Sequence, residues 1–150
     1  MIISFDLDDT LIPGAKQFET EKQNIFQQLT GQEKIRLGTL ILFKELRKRG
    51  HSIYIYTTSL RSITGIKLMF ISYGIPVDKI INQQRHNSKL REQRTMASKF
   101  PPAFNIDIHI DDSPGLKIEG ERFQFRTIII HENDKNWTTT IMEYLYKAQK

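Results

Sequence analysis

The sequence predicts an α/β fold: a three-layer, Rossmann-like arrangement in which a parallel five-stranded sheet is covered by helices on both faces. Two observations carry that expectation. Short apolar runs rich in β-branched residues alternate along the chain with longer stretches of helical periodicity. Strands separated by helices imply right-handed crossovers and parallel pairing. A third observation concerns function: polar residues collect just beyond three of the apolar runs, at the carboxyl strand ends where such sheets hold their ligands.

Composition narrows the classes. A chain of 150 residues, 39% apolar and 26% charged, fits one ordinary globular domain spanning 1–150. There is no cysteine, which excludes a disulfide framework, a thiolate zinc site and a cysteine nucleophile, and agrees with a cytoplasmic location. The first strand begins at once, leaving no room for a signal peptide, and the longest apolar runs, such as Leu40–Phe43 and Ile128–Ile130, are far too short for a membrane span. No membrane partner is expected. The net charge of +5 reads mainly as a solvated lysine and arginine surface, with steering of anions as its functional counterpart.

Taken in order, Ile2 to Phe5 is the first strand, and Pro13-Gly14 break the chain soon after it. Phe18, Ile25, Phe26 and Leu29 recur at helical spacing and predict a short helix ending near Thr30-Gly31. A second helix runs from about Thr39 to Arg49, with Leu40, Phe43 and Leu46 inward and Gly50 as its stop. Ser52 to Thr57 is a strand, and Leu60 to Tyr73 a helix closed by Gly74. Lys79 to Asn82 is a brief strand; Gln83 to Ser88 is a polar loop before a mainly polar helix from Lys89 to about Lys99, ended by Pro101-Pro102. Ile106 to Ile110 forms the fourth strand, followed by Asp111-Asp112 and a helical turn from Leu116 to Glu121. Arg126 to His131 is the fifth strand. Trp137, Ile141 and Leu145, four apart, mark the inward face of a last helix from about Asn136.

The candidate chemistry lies at strand ends. The first strand exits into Asp6-x-Asp8-x-Thr10, the second into Thr57-Thr58, and the fourth into Asp111-Asp112. Each has a bland explanation: an acid after a strand often caps the next helix, and a threonine ending a strand is usually structural. Their conjunction is the signal, because acids packed at buried strand ends are costly unless they bind a cation or do chemistry. The four histidines lack metal-ligand spacing, and His109 is expected to be structural.

These residues resemble the motifs of the haloacid dehalogenase-like superfamily of aspartate-nucleophile hydrolases. Asp6-Leu-Asp8-Asp9-Thr10 resembles its first motif, Ile53 to Thr57 its second, and Ile108 to Asp112 its fourth. The third motif is a basic residue before the fourth strand. Lys89 is preferred because it opens the preceding helix and lies 22 positions before Asp111, with Lys99 and Arg85 as alternatives. The resemblance implies a sheet order of 5-4-1-2-3, which sets strand ends 4, 1 and 2 side by side. It also implies a Mg²⁺-dependent phosphatase in which Asp6 is the nucleophile and Asp8 the acid–base. Mg²⁺ would be bound by Asp6, the Asp8 carbonyl and Asp112, and by Asp111 directly or through water. Lys89 would neutralise Asp6 and the phosphoryl oxygens, while Thr57 and the backbone at Thr58 would hold the phosphoryl group. Asp9 is given no role and is expected to face solvent.

Relatives that act on small metabolites usually carry a cap domain. Here only about residues 13–35 are free for an insertion, enough for a flap and a short helix. A capless site implies a large or exposed phosphorylated substrate, unless another subunit covers it. Arg85, His86, Lys89, Arg91, Arg94 and Lys99 form a basic segment that is either a solvated face or an electropositive rim for polyanions. A nucleic-acid-end phosphatase module and a non-catalytic phosphate-binding protein on the same fold are the alternative readings.

Overall fold

The structure, a computed structural model, describes residues 1–93 and 96–147. Arg94, and the part of the expected fourth helix that runs through 94–95, lie outside the described residues. The elements are β1 (Ile2–Phe5), α1 (Ile25–Leu29), α2 (Thr39–Lys48), β2 (Ser52–Tyr56), α3 (Ile63–Ser72), β3 (Lys79–Ile81), α4 (Gln83–Gln93), a 3-10 helix (Pro101–Phe104), β4 (Ile108–Asp111), α5 (Pro114–Phe123), β5 (Thr127–Ile129) and α6 (Trp137–Lys147). The strands form one all-parallel sheet in the order β3-β2-β1-β4-β5, which is 5-4-1-2-3 read from the other edge. Among the described residues no helix is long and apolar enough to cross a membrane.

Successive strand residues point to opposite faces, and the two faces differ in character. Ile3, Phe5, Ile53, Ile55, Ile108 and Ile110 turn to one side and join the buried residues of α2, α3 and α6 in the main core. Phe43 of α2 lies 4.8 Å from the Phe5 ring and 5.9 Å from Phe70 of α3, centroid to centroid. Each such ring contributes about 1.5–3 kcal/mol by burial. The other face carries a smaller cluster around Tyr56, Ile81, Phe104 and Ile106, with buried Ser4, His86 and His109 beside it. That second face is polar because it underlies the strand ends described below.

Several boundaries differ from the sequence expectation, each for a local reason. Leu60 is exposed outside α3, whose start is set three residues later by Ser62 accepting the Gly65 N–H at 3.0 Å. The expected loop Gln83–Ser88 is helical, because the buried Asn82 side chain accepts the Arg85 N–H through Oδ1 and starts α4 at once. Residues 96–100 are not helical. α5 extends over ten residues rather than a single turn. The largest reversal is α1. Phe18 lies outside it, and Ile25, Phe26 and Leu29 all face outward, 65–82% exposed. Its inward residue is Gln27, which completes a capping box with Asn24 and donates to the Ser72 carbonyl at 3.1 Å.

Candidate active site

The carboxyl ends of β2, β1 and β4 are adjacent, so Thr57, Asp6 and Asp111-Asp112 converge as the strand order demands. A cavity of about 400 Å³ opens over Asp6, Asp8, Thr57, Thr58, Lys99 and the Asp111-Asp112 pair. Asp6 continues the β1 ladder, its N–H donating to the Ile110 carbonyl at 2.8 Å. The chain then curls, with Leu11 and Ile12 N–H groups returning to the Leu7 carbonyl. Leu7 is fully buried, so its neighbours are held apart: Asp6 inside and Asp8 at the rim.

Asp9 does not simply face solvent. It sits in the left-handed region, φ 62°, and its Oδ1 accepts the Lys16 N–H at 2.8 Å. A side chain at Gly14 would begin 2.8 Å from that same oxygen, which explains the glycine. This turn delivers the Lys16 ammonium to Asp112 Oδ2 at 2.6 Å, where the hydrogen bond to Asp112 raises its pKa above the ordinary lysine value.

The lysine that meets the acids is Lys99, not Lys89. Lys99 Nζ lies 2.6 Å from Asp6 Oδ1 and 2.5 Å from Asp111 Oδ2, deeply buried. Burial works against its charge, but Asp6 and Asp111 outweigh burial and hold the ammonium above its usual pKa. Lys89 instead pairs with Glu92 on the exposed side of α4, and the Arg85 guanidinium donates to the Ile80 carbonyl. The physical reason is the early start of α4, which places Lys89 in mid-helix and leaves Lys99 on the segment that enters the 3-10 helix. That segment is fixed on both sides. Tyr56 Oη accepts the Phe100 N–H at 2.9 Å, and Glu119 accepts from the Ser98 hydroxyl at 2.6 Å. The Tyr56 hydroxyl also meets His86 Nδ1 at 2.6 Å, and burial followed by Lys99 lowers the His86 pKa.

Asp6, Asp111 and Asp112 each offer a carboxylate oxygen, all within 4.8 Å of one another. Their states differ. Burial pushes Asp111 upward, but His109 and Lys99 outweigh it and hold it well below the usual carboxylate range. Its Oδ1 also accepts the Ser113 N–H at 2.8 Å. Burial raises the Asp6 carboxyl to about 6 against the pull of Lys99. Besides Lys99 and the Leu7 N–H, Asp6 has a long 3.5 Å contact from Thr10, whose hydroxyl is better placed toward Asp112 Oδ1 at 3.0 Å. A carboxylate has about four lone-pair sites, so Asp6 keeps acceptor capacity for a cation or an electrophile.

His109 is fully buried, and burial drives its pKa down to about 4. A neutral ring beside an ionised acid must donate from Nε2 to Asp111 Oδ2, 3.1 Å away, leaving Nδ1 to accept from the Ser4 hydroxyl at 2.7 Å. Thr57 is buried and ends β2 with its N–H on the Ile81 carbonyl; its hydroxyl oxygen accepts the Ser59 N–H at 3.1 Å, so its own proton can go to a ligand.

Asp8 meets a residue the sequence did not flag. Arg61 reaches Asp8 Oδ1 at 2.6 Å and Glu33 with its other arm. Lys16 and Arg61 carry no motif of their own. Their only sequence signal is position, one just past the Pro13-Gly14 break and one four residues beyond Thr57.

An all-oxygen donor set, buried and flanked by hydroxyl and ammonium groups, suits a hard divalent cation. The two lysines leave part of the negative charge of the three acids uncompensated, which is the charge such a cation would meet. No protein-family model matches the chain, and no curated protein matches it.

Proposed function

We propose that the chain is a Mg²⁺-dependent phosphatase of the haloacid dehalogenase-like type, hydrolysing phosphate monoesters through an aspartyl-phosphate. The observation that carries the reading is Asp6 itself: a buried carboxylate at the central strand end, beside Lys99 and two further acids, with the half-exposed Asp8 two residues on.

In this reading an Asp6 carboxylate oxygen forms a bond to phosphorus in line with the leaving oxygen. The P–O bond to the leaving group breaks with its electron pair, and that oxygen takes a proton from Asp8. Water then attacks phosphorus and returns a proton to Asp8, releasing inorganic phosphate and the Asp6 carboxylate. Thr57 and the backbone at Thr58 hold the transferring group, and Lys99 offsets charge on Asp6 and the phosphoryl oxygens. Asp6, the Asp8 carbonyl, Asp112 and Asp111 would hold Mg²⁺, which when bound would add neutralisation of phosphate charge. Without it, two unit charges 4 Å apart would repel by about 4 kcal/mol at an effective dielectric near 20.

The flap between β1 and α2 contains only the five-residue α1, far less than a lid domain. The site is therefore suited to phosphate groups on large or exposed substrates. The decisive test is Asp6→Asn, which should abolish hydrolysis of a small aryl phosphate in Mg²⁺ while the circular dichroism spectrum stays that of the parent. Substantial turnover by that variant rules out the nucleophile assignment.

A further inference from the structure

We propose that Arg61 is the positioning residue for Asp8, and that Glu33 on the flap holds Arg61 in that task. The inference rests on the phosphatase reading, in which Asp8 is the proton donor. Arg61 donates to Asp8 Oδ1 at 2.6 Å and, through its other terminal nitrogen, to Glu33 Oε2. This is not a loose surface pair, because each partner is fastened through its backbone. The Arg61 carbonyl accepts from the buried Asn82 amide at 3.1 Å, and the Glu33 carbonyl accepts from the buried Tyr73 hydroxyl at 2.9 Å. Asn82 also caps α4, so the guanidinium is referenced to β3 and α4 as well as to the flap.

The chemistry follows from where the proton can sit. An N–H donor on Oδ1 favours that oxygen as the carbonyl, the better acceptor, so a protonated Asp8 carries its hydrogen preferentially on Oδ2. Among the described residues no side chain donates to Oδ2, and Asp8 lines the cavity that contains Asp6 and Thr57. Arg61 thus fixes the carboxyl plane and presents the oxygen that gives its proton to the leaving group, then takes one back from the attacking water. Glu33 keeps the fork from swinging away and takes part of its positive charge.

A role in proton delivery is separable from a role in folding by the leaving group. Nitrophenolate departs without help, whereas an alkoxide must be protonated as it leaves. Arg61→Gln should lower kcat for an alkyl phosphate such as glycerol phosphate by about 10²-fold, the scale of general-acid assistance, and for p-nitrophenyl phosphate by less than about fivefold. Arg61→Lys should recover part of the alkyl activity, and Glu33→Gln should give a smaller loss with the same leaving-group bias. Equal losses on both substrates, or an undiminished alkyl rate, overturn the proposal, and Glu33→Gln keeps the test open should Arg61→Gln fold poorly. Failure of the underlying reading looks different: the parent chain then hydrolyses neither ester, or Asp6→Asn hydrolyses both, and the proposal falls with it.

Discussion

Lys16 places an ammonium on Asp112, one of the acids of the proposed Mg²⁺ site. Its contact with Asp112 is partly open to water, the lysine side chain being 30% exposed, so solvent screening reduces the repulsion felt by an incoming cation to about 1 kcal/mol. Lys16→Met should therefore bind Mg²⁺ about fivefold more tightly in titration calorimetry. Unchanged or weaker binding shows that Lys16 orients Asp112 rather than competing for it. A second prediction concerns protons in EDTA-treated protein. Asp6 is raised from 3.8 to about 6, so between those values the folded chain holds the extra proton and stability falls as pH rises. His109 is lowered from 6.5 to about 4, so in that window the unfolded chain holds the extra proton and stability rises with pH, by roughly 3 kcal/mol in all. The two oppose. Asp6→Asn removes the first, and its melting temperature should climb more steeply than the parent's from pH 4.5 to 6.5; matching slopes refute the opposition. At this scale the acids were legible in the sequence because strand ends announce them. The cations were less so: Lys99 stood only as an alternative to Lys89, and Lys16 and Arg61 carried no signal, because they reach the site through long side chains and only folded backbone decides which one arrives.

At the scale of the element, α1 inverts the usual reading of an apolar helix. Its three large apolar residues contact solvent, while Gln27 supplies the cap and the tie to α3. Gln27→Ala should destabilise the chain by about 1–2 kcal/mol in urea unfolding, and Leu29→Ala by less than about 0.5 kcal/mol. The reverse ranking means that the apolar side of α1 packs in solution. Helical spacing located α1 but could not say which face turns inward, because five residues make too short a stripe and Gln27 wins by hydrogen bonding. The same limitation moved α4. Composition marked Gln83–Ser88 as polar, and polarity suggested a loop, yet Asn82 offers a cap and most of α4 stays wet. Strands and the longer helices α2 and α6 were readable, since their apolar faces are buried against one sheet.

For the molecule as a whole, the alternation of strands and helices was enough to anticipate a parallel five-stranded sheet, because crossover chirality leaves few other arrangements. The order of that sheet also has a temporal meaning. β1 precedes the other strands of this sheet and is the central one, paired on one side by β2 and on the other by β4. During synthesis, β1, β2 and β3 can associate while the β4 side of β1 is still bare, because domains form progressively from the amino end. At that stage Asp6, Asp8 and Thr57 are present without Lys99, His109 or the Asp111-Asp112 pair. The nucleophile candidate is then an acid with no counter-charge, and the edge of β1 is open to foreign strands. Arrival of β4, preceded by the Lys99 segment, covers that edge of β1 and brings the remaining charges, while the far side of β4 stays open until β5 pairs with it. A half-made chain thus exposes both a sheet edge and an acid without its partner charges.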